Sequence, residues 1–284
     1  MAREWRRLLV PPERLAAAAA SAVDDAGFHA GAVLALEPPE LHYLRRVLRL
    51  RPAERFALVD GAGHLWSATL AADTALLEQP LQRPLLAEPL PRPVLQLAVA
   101  LPRQDADVLL RMACELGIDR LSPLRAERSA AAAPLRPQRQ AAILREALEQ
   151  CERLWLPRLD APQPAAAVLA AGPEPGPQPG AEGPVLRLLA TTRREGLQPL
   201  ERRLRAVELL PQQLPPAQVV VAIGPEGGWS PEEEQVAAAA GWQPVGLGAM
   251  ILRTSTAAVA VAALLAAWRR GLALSCGTSR PPSP

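Results

Sequence analysis

Two glycine-bearing segments carry the residues best suited to chemistry. The first is Ile223-Gly-Pro-Glu-Gly-Gly228. Glycines let a backbone turn tightly and approach a ligand closely, so peptide groups become the binding surface and Glu226 sets a carboxylate among them. The second is Leu247-Gly-Ala-Met-Ile-Leu-Arg-Thr-Ser-Thr-Ala257. Neither is a familiar phosphate loop. A Walker loop requires a lysine after its last glycine, and the chain contains no lysine. The spacing G-x-x-G-G also misses the dinucleotide fingerprint G-x-G-x-x-G.

Each segment sits between elements able to position it. Val219–Ile223 is a continuous, mostly β-branched apolar run, the pattern of a strand buried on both faces. After the loop, Ser230 reads as an N-cap, Pro231 as the first helical residue, and Glu233 as the partner that closes a capping box. The second segment starts from a strand over Pro244–Leu247 and runs into an alanine-rich helix over Thr256–Trp268. Strand, loop, helix is where α/β proteins place ligand sites. One such loop is most often a plain connection; two of them, one strand apart, can share a ligand.

On these residues the chain resembles the RsmE family, methyltransferases that modify N3 of a uridine in 16S ribosomal RNA of the small subunit. The resembling motifs are Ile223–Gly228 and Leu247-Gly-x-x-Ile-Leu-Arg-Thr-x-Thr-Ala257, with Glu115-Leu-Gly117, Gln150-x-x-Arg153-x-x-x-Pro157, His42-x-x-x-Arg46-Val-Leu-Arg49 and Val59-Asp-Gly61. The resemblance implies an α/β chain with an N-terminal PUA-like β-barrel that grips RNA. It implies a C-terminal SPOUT domain, whose trefoil knot around a mostly parallel sheet holds S-adenosylmethionine. Carried onto this sequence, the cofactor would meet Ile223, Gly224, Pro225, Glu226, Gly227, Gly228, Leu247, Gly248, Ile251, Leu252, Thr254, Thr256 and Ala257. RNA would meet His42, Arg45, Arg46, Arg49, Arg128 and Arg153. The implied partners are the small ribosomal subunit and a second copy of the chain, in the cytoplasm. At one position the family usually has glutamate where this chain has Ser255. That departure keeps an alternative in view: a non-catalytic RNA-binding or ribosome-assembly protein retaining the SPOUT fold.

Methylating a uridine nitrogen requires a sulfonium methyl held in line, removal of the N3 proton or stabilisation of the resulting anion, and a base taken out of its stack. Backbone groups at the glycines can read an adenine edge and ribose, between apolar walls from Ile223, Leu247, Ile251 and Leu252. Glu226 or Glu127 can serve as base; Arg128 or Arg253 can steady the deprotonated uracil. A metabolic nucleotide enzyme fits poorly with an arginine-bearing N-terminal domain.

Composition sets the frame. The chain has 284 residues, enough for one large domain or two modest ones, and a net charge of +2, which announces no strongly charged partner. All 31 basic residues are arginine, so phosphate contacts fall to arginine, which suits bidentate phosphate geometry. Cys114, Cys151 and Cys276 show neither paired nor metal-ligand spacing, and His29, His42 and His64 are scattered; no metal site and a reduced compartment are expected. No apolar run reaches membrane-spanning length.

In order, residues 1–86 are expected to form the PUA-like domain. Leu41, Leu44 and Val47 or Leu48 share a helical face there, and strands Arg55–Val59 and Leu65–Leu70 join across a glycine-rich turn. A proline-rich linker over Pro84–Pro93 leads to the SPOUT domain, 87–274. It contains a strand at Val94–Leu101 and a helix over Gln104–Leu116 burying Val108, Leu109, Met112, Ala113 and Leu116. A strand at Ile118–Leu124 precedes the Glu127-Arg-Ser129 loop. A helix over Pro137–Leu154 follows, with Arg145 and Glu149 as a surface pair. Residues 161–184 read as a flexible loop, Val185–Ala190 as strand, Arg193–Arg205 as irregular connection, and 275–284 as a disordered tail.

Overall fold

The computed structural model describes residues 5–20, 32–129, 136–171, 183–192, 194–208 and 216–275. They divide into two compact units, one running up to Leu90 and including Arg145–Leu156, the other holding Pro91–Leu144 and the chain from Pro157 on.

In the first unit, β1 (Arg7–Leu9), α1 (Pro12–Ala20), β2 (Val33–Ala35) and α2 (Pro38–His42) lead into a π-helical turn, Tyr43–Val47; β3 (Arg55–Val59), β4 (His64–Ala71), β5 (Thr74–Leu77) and β6 (Leu86–Ala87) follow. The strands pair in the order β1-β3-β4-β5-β2, with β6 on β4. The β3–β4 hairpin turns where expected, because the Asp60 carboxylate accepts N–H bonds from Ala62 (2.7 Å) and His64 (3.0 Å) and lies 2.7 Å from His64 Nδ1. Phe56, Leu58, Trp66, Leu70 and Leu44 fill the core, while His42, Arg45, Arg46, Val47 and Arg49 are exposed. β6 lies inside the expected linker, so that stretch is partly ordered by pairing with His64 and Leu65.

Arg145–Leu156 belongs to this unit through bonds from Glu149 onward. The Leu9 N–H donates to the Glu149 carboxylate at 2.8 Å, Gly63 N–H to Leu154 O at 3.1 Å, and the Trp155 indole N–H to Glu88 O at 3.1 Å. Glu149 is therefore buried, not the exposed half of a surface pair with Arg145. Burial pushes its carboxyl up to about 7, against the lowering effects of the Leu9 N–H and Arg145. Burial, then Glu149 itself, pushes the Tyr43 hydroxyl up to about 12.

The second unit contains β7 (Val94–Val99), α3 (Ala106–Glu115), β8 (Arg120–Arg125), the start of α4 (Pro137–Gln150), β9 (Arg158–Leu159), β10 (Gln163–Pro164), α5 (Ala165–Ala171), β11 (Val185–Ala190), β12 (Gln198–Pro199), α6 (Leu200–Glu208), β13 (Gln218–Ile223), α7 (Pro231–Ala239), β14 (Gln243–Gly246) and α8 (Thr254–Ser275). The sheet order is β10-β8-β7-β13-β11-β14-β12, with β9 on β8, and every ladder is parallel. β13 lies mid-sheet and all its residues are buried, as its apolar run implies.

Four expectations change. α3 buries Leu109, Leu110, Ala113 and Cys114, leaving Val108 and Met112 exposed; the helix is apolar over so wide an arc that its pattern does not fix its rotation. Ala165–Ala171 is not loop but helix, with Val168 and Leu169 buried. Leu200–Glu208 is a helix anchored by Leu200 and Leu204, not an irregular connection. α8 begins at Thr254 and runs to Ser275, longer than expected at both ends. Most of the expected loop, from 172 to 182, and the expected tail after Ser275 lie outside the described residues.

Candidate active site

Parallel register brings three strand ends level. Ala190, the last residue of β11, pairs with Ile223 of β13 on one side and Val245 of β14 on the other. Thr191, Gly224 and Leu247 therefore leave the sheet near one another. Around them lies a cavity of about 270 Å³, lined from the first loop by Ile223 to Trp229 and from the second by Leu247, Gly248, Met250, Ile251, Leu252, Thr254 and Ala257. Ala190, Thr191, Thr192, Glu234 and Arg128 complete the wall.

The first loop is held from several sides. Gly228 has φ +74°, a conformation that favours glycine, and its N–H donates to Pro225 O at 2.8 Å. The Trp229 indole donates to Ala190 O at 2.9 Å and packs so tightly under Gly224 that a Cβ there would lie 3.0 Å from the ring. α7 starts as expected: the Ser230 hydroxyl accepts from Glu233 N–H at 3.2 Å and the Glu233 carboxylate accepts from Ser230 N–H at 3.0 Å. The two loops are tied directly, since the buried Thr254 hydroxyl donates to Gly224 O at 3.0 Å.

Charge is confined to few groups. Glu226 lines the cavity and is exposed. Arg128 lines it too; its guanidinium donates to Trp229 O at 3.1 Å, and a Cβ on Gly227 would lie 3.0 Å from Arg128 Cβ. Glu234 accepts from the Thr191 hydroxyl at 3.1 Å and lies 3.5 Å from Arg194. Arg253 and Thr256 are exposed and not part of the lining. Ser255 is half-buried in the first turn of α8, one residue past Thr254, and so is not the N-cap. Glu127 is exposed, while its backbone N–H donates to Glu233. His42, Arg45, Arg46, Arg49 and Arg153 lie in the other unit.

Sequence reading misses Ala190, Thr191, Thr192, Trp229, Glu234 and Met250 as lining. Only the sheet order, which inserts β11 between β13 and β14, puts the first three there. The wall that results is mostly peptide and aliphatic, which suits a flat heterocycle and a sugar. Gly228 and Gly248, with φ +74° and +116°, have open space where a side chain would stand, so the cradle fits an adenosyl group read by backbone.

Comparison with known proteins shows the family. A family model described as an RNA methyltransferase domain matches residues 88–266, and one described as an RNA methyltransferase PUA domain matches 36–75. The chain is 37% identical over 237 residues to ribosomal RNA small subunit methyltransferase E of Synechocystis sp., covering 80% of this chain and 70% of that protein. The crystal structure of a ribosomal RNA small subunit methyltransferase E from Neisseria gonorrhoeae bound to S-adenosyl methionine superposes with TM-score 0.66 at 26% identity, over 92% of this chain and 96% of that one. A probable rRNA-methyltransferase from Porphyromonas gingivalis shares the fold, with TM-score 0.64 at 22% identity over 81% and 91% of the two chains. With a level set of strand ends, two tied glycine loops and these relatives, the chain belongs to the ribosomal RNA small subunit methyltransferase E family.

Proposed function

We propose that the chain binds S-adenosylmethionine between its two glycine loops and methylates N3 of a uridine in 16S ribosomal RNA of the small subunit. The observation that carries this reading is the bond from Thr254 to Gly224 in the cavity wall, which makes two strand ends into one site. Bound there, the cofactor supplies an electrophilic methyl group. Peptide groups at Gly224, Gly227, Gly228 and Gly248 bind its adenosyl part, and Ile223, Leu247, Ile251 and Leu252 cover the adenine faces. Glu226, exposed at the cavity, accepts the N3 proton as the methyl arrives. Arg128, fixed against Trp229, holds the uracil oxygen on which negative charge develops. Arg253, outside the lining, serves RNA backbone or an ion pair.

His42, Arg45, Arg46 and Arg49 form the exposed basic strip on which the RNA backbone lies, joined by Arg153 of the same unit. The chain works as a homodimer; exposed Val108 and Met112 on α3, and Ala263 and Ala267 on α8, support an apolar interface. The trefoil knot, the boundary near residue 86 and the cytoplasmic setting belong to the same proposal. Among the described residues no helix is long and apolar enough to cross a membrane.

Titration calorimetry with S-adenosylmethionine tests the site. Wild type is expected to bind one cofactor per chain, and Gly228→Val, which forces a β-branched residue to φ +74°, to lose binding while melting cooperatively. Undiminished binding by that variant overturns the assignment.

A further inference from the structure

We infer that Glu233 is a positioning residue for the reaction, because its buried carboxylate ties the loop bearing Arg128 to the start of α7. The inference rests on the reading that Arg128 acts on the uracil. A capping box asks one oxygen of its glutamate, for the N–H of the cap residue. Glu233 gives that oxygen to Ser230 at 3.0 Å and turns the other to the Glu127 N–H at 2.9 Å, on a loop 106 residues earlier. The residue is 4% exposed; its bond to Ser230 is buried, so losing it leaves a buried N–H without its acceptor, while its bond to Glu127 is partly buried.

What this bond holds is the residue next door. Beyond Glu127, the described loop is a short turn closed on itself, Ser129 N–H to Ala126 O at 3.1 Å and Ala126 N–H to the Ser129 hydroxyl at 3.2 Å. Those bonds shape the turn and do not attach it to the cavity. The attachments are the Glu233 carboxylate on the Glu127 N–H, the Arg128 guanidinium on Trp229 O, and the close packing of Arg128 on Gly227, where a Cβ would lie 3.1 Å from Arg128 O. Glu233 is the only one of the three that holds the turn's backbone by hydrogen bond. A glutamine at 233 keeps one acceptor oxygen and turns an NH₂ toward the second donor, so one of the two bonds fails.

The test is a double-mutant cycle between Glu233→Gln and Arg128→Ala, read as kcat on small subunits lacking the modification, with cofactor Kd and Tm measured beside it. Glu233→Gln is expected to lower kcat about tenfold and to change cofactor Kd little. In the Arg128→Ala background the same substitution is expected to change kcat less than about twofold. Ser230→Ala, which removes only the cap acceptor, is expected to lower Tm and keep kcat. If Glu233→Gln does not fold, Glu233→Asp, which keeps the charge and shortens the reach to the two N–H donors, replaces it in the cycle. Losses that multiply in the double variant, or a Ser230→Ala variant as slow as Glu233→Gln, overturn the inference and leave the role of Arg128 standing. A silent Arg128→Ala variant removes that role and the inference with it.

Discussion

The most informative single atom is the Thr254 hydroxyl. Thr254→Val keeps the side-chain shape and removes one donor. In the structure that donor serves Gly224 O at 3.0 Å from a residue 2% exposed, so the carbonyl is left short of a partner at the junction of the two loops. An unsatisfied buried polar group costs about 1–3 kcal/mol. Part of that appears in folding, because the bond exists before any ligand binds, and part in binding, because the loops must be brought together again. If binding carries most of it, cofactor affinity falls about 5- to 150-fold. Calorimetry with S-adenosylmethionine on wild type and Thr254→Val, with melting curves for both, separates the two shares. Equal affinity together with an equal Tm refutes the reasoning, since the bond would then tie nothing.

Other expectations follow from the same structure. Glu149 titrates near 7 in the folded chain against an ordinary value of 4.5. Its raised value makes a contribution that is whole below pH 4.5 and lost as pH climbs through about 7, so Tm should fall over that window and flatten in Glu149→Gln, as thermal melts across pH will show. Changing Arg45, Arg46 and Arg49 together to glutamine should weaken RNA binding and reduce its salt slope by about 0.7–0.9 per lost phosphate contact; filter binding at several salt concentrations reads this, and an unchanged slope assigns the arginines to a solvated face. Ser255→Glu adds a carboxylate in the first turn of α8, two residues after Arg253. Methylation assays should find both forms active within about tenfold, one charge near a helix N-terminus being worth about 0.3–1 kcal/mol, whereas an inert wild type rescued by glutamate would favour a binding-only ancestry.

How far the sequence discloses this structure depends on where each residue's partners lie. The strand at Gln218–Ile223, the glycine loop and the Ser230–Glu233 cap are legible because their causes are local: apolar continuity, backbone freedom and a bond three residues long. The β3–β4 hairpin is legible for the same reason. Thr191 and Thr192 are not, because only the pairing of β11 between β13 and β14 brings them to the cavity. Glu149 reads as a surface residue because its partner, Leu9 N–H, lies 140 residues away. The helices at Ala165–Ala171 and Leu200–Glu208 hide for opposite reasons. One is set among prolines and alanines, the other is mostly charged, and each is fixed by a pair of leucine or valine anchors. Ser255, just before the expected helix start at Thr256, falls inside α8 because the helix begins two residues earlier, at Thr254.

Product analysis tests methyl transfer to a uridine N3. Small ribosomal subunits lacking the modification are incubated with the protein and S-adenosylmethionine carrying a labelled methyl group, and the RNA is digested and read by mass spectrometry. One labelled methyl per 16S RNA is expected, on N3 of a single uridine, absent with Gly228→Val. Cofactor binding without label in the RNA, or label on another atom or base, contradicts it.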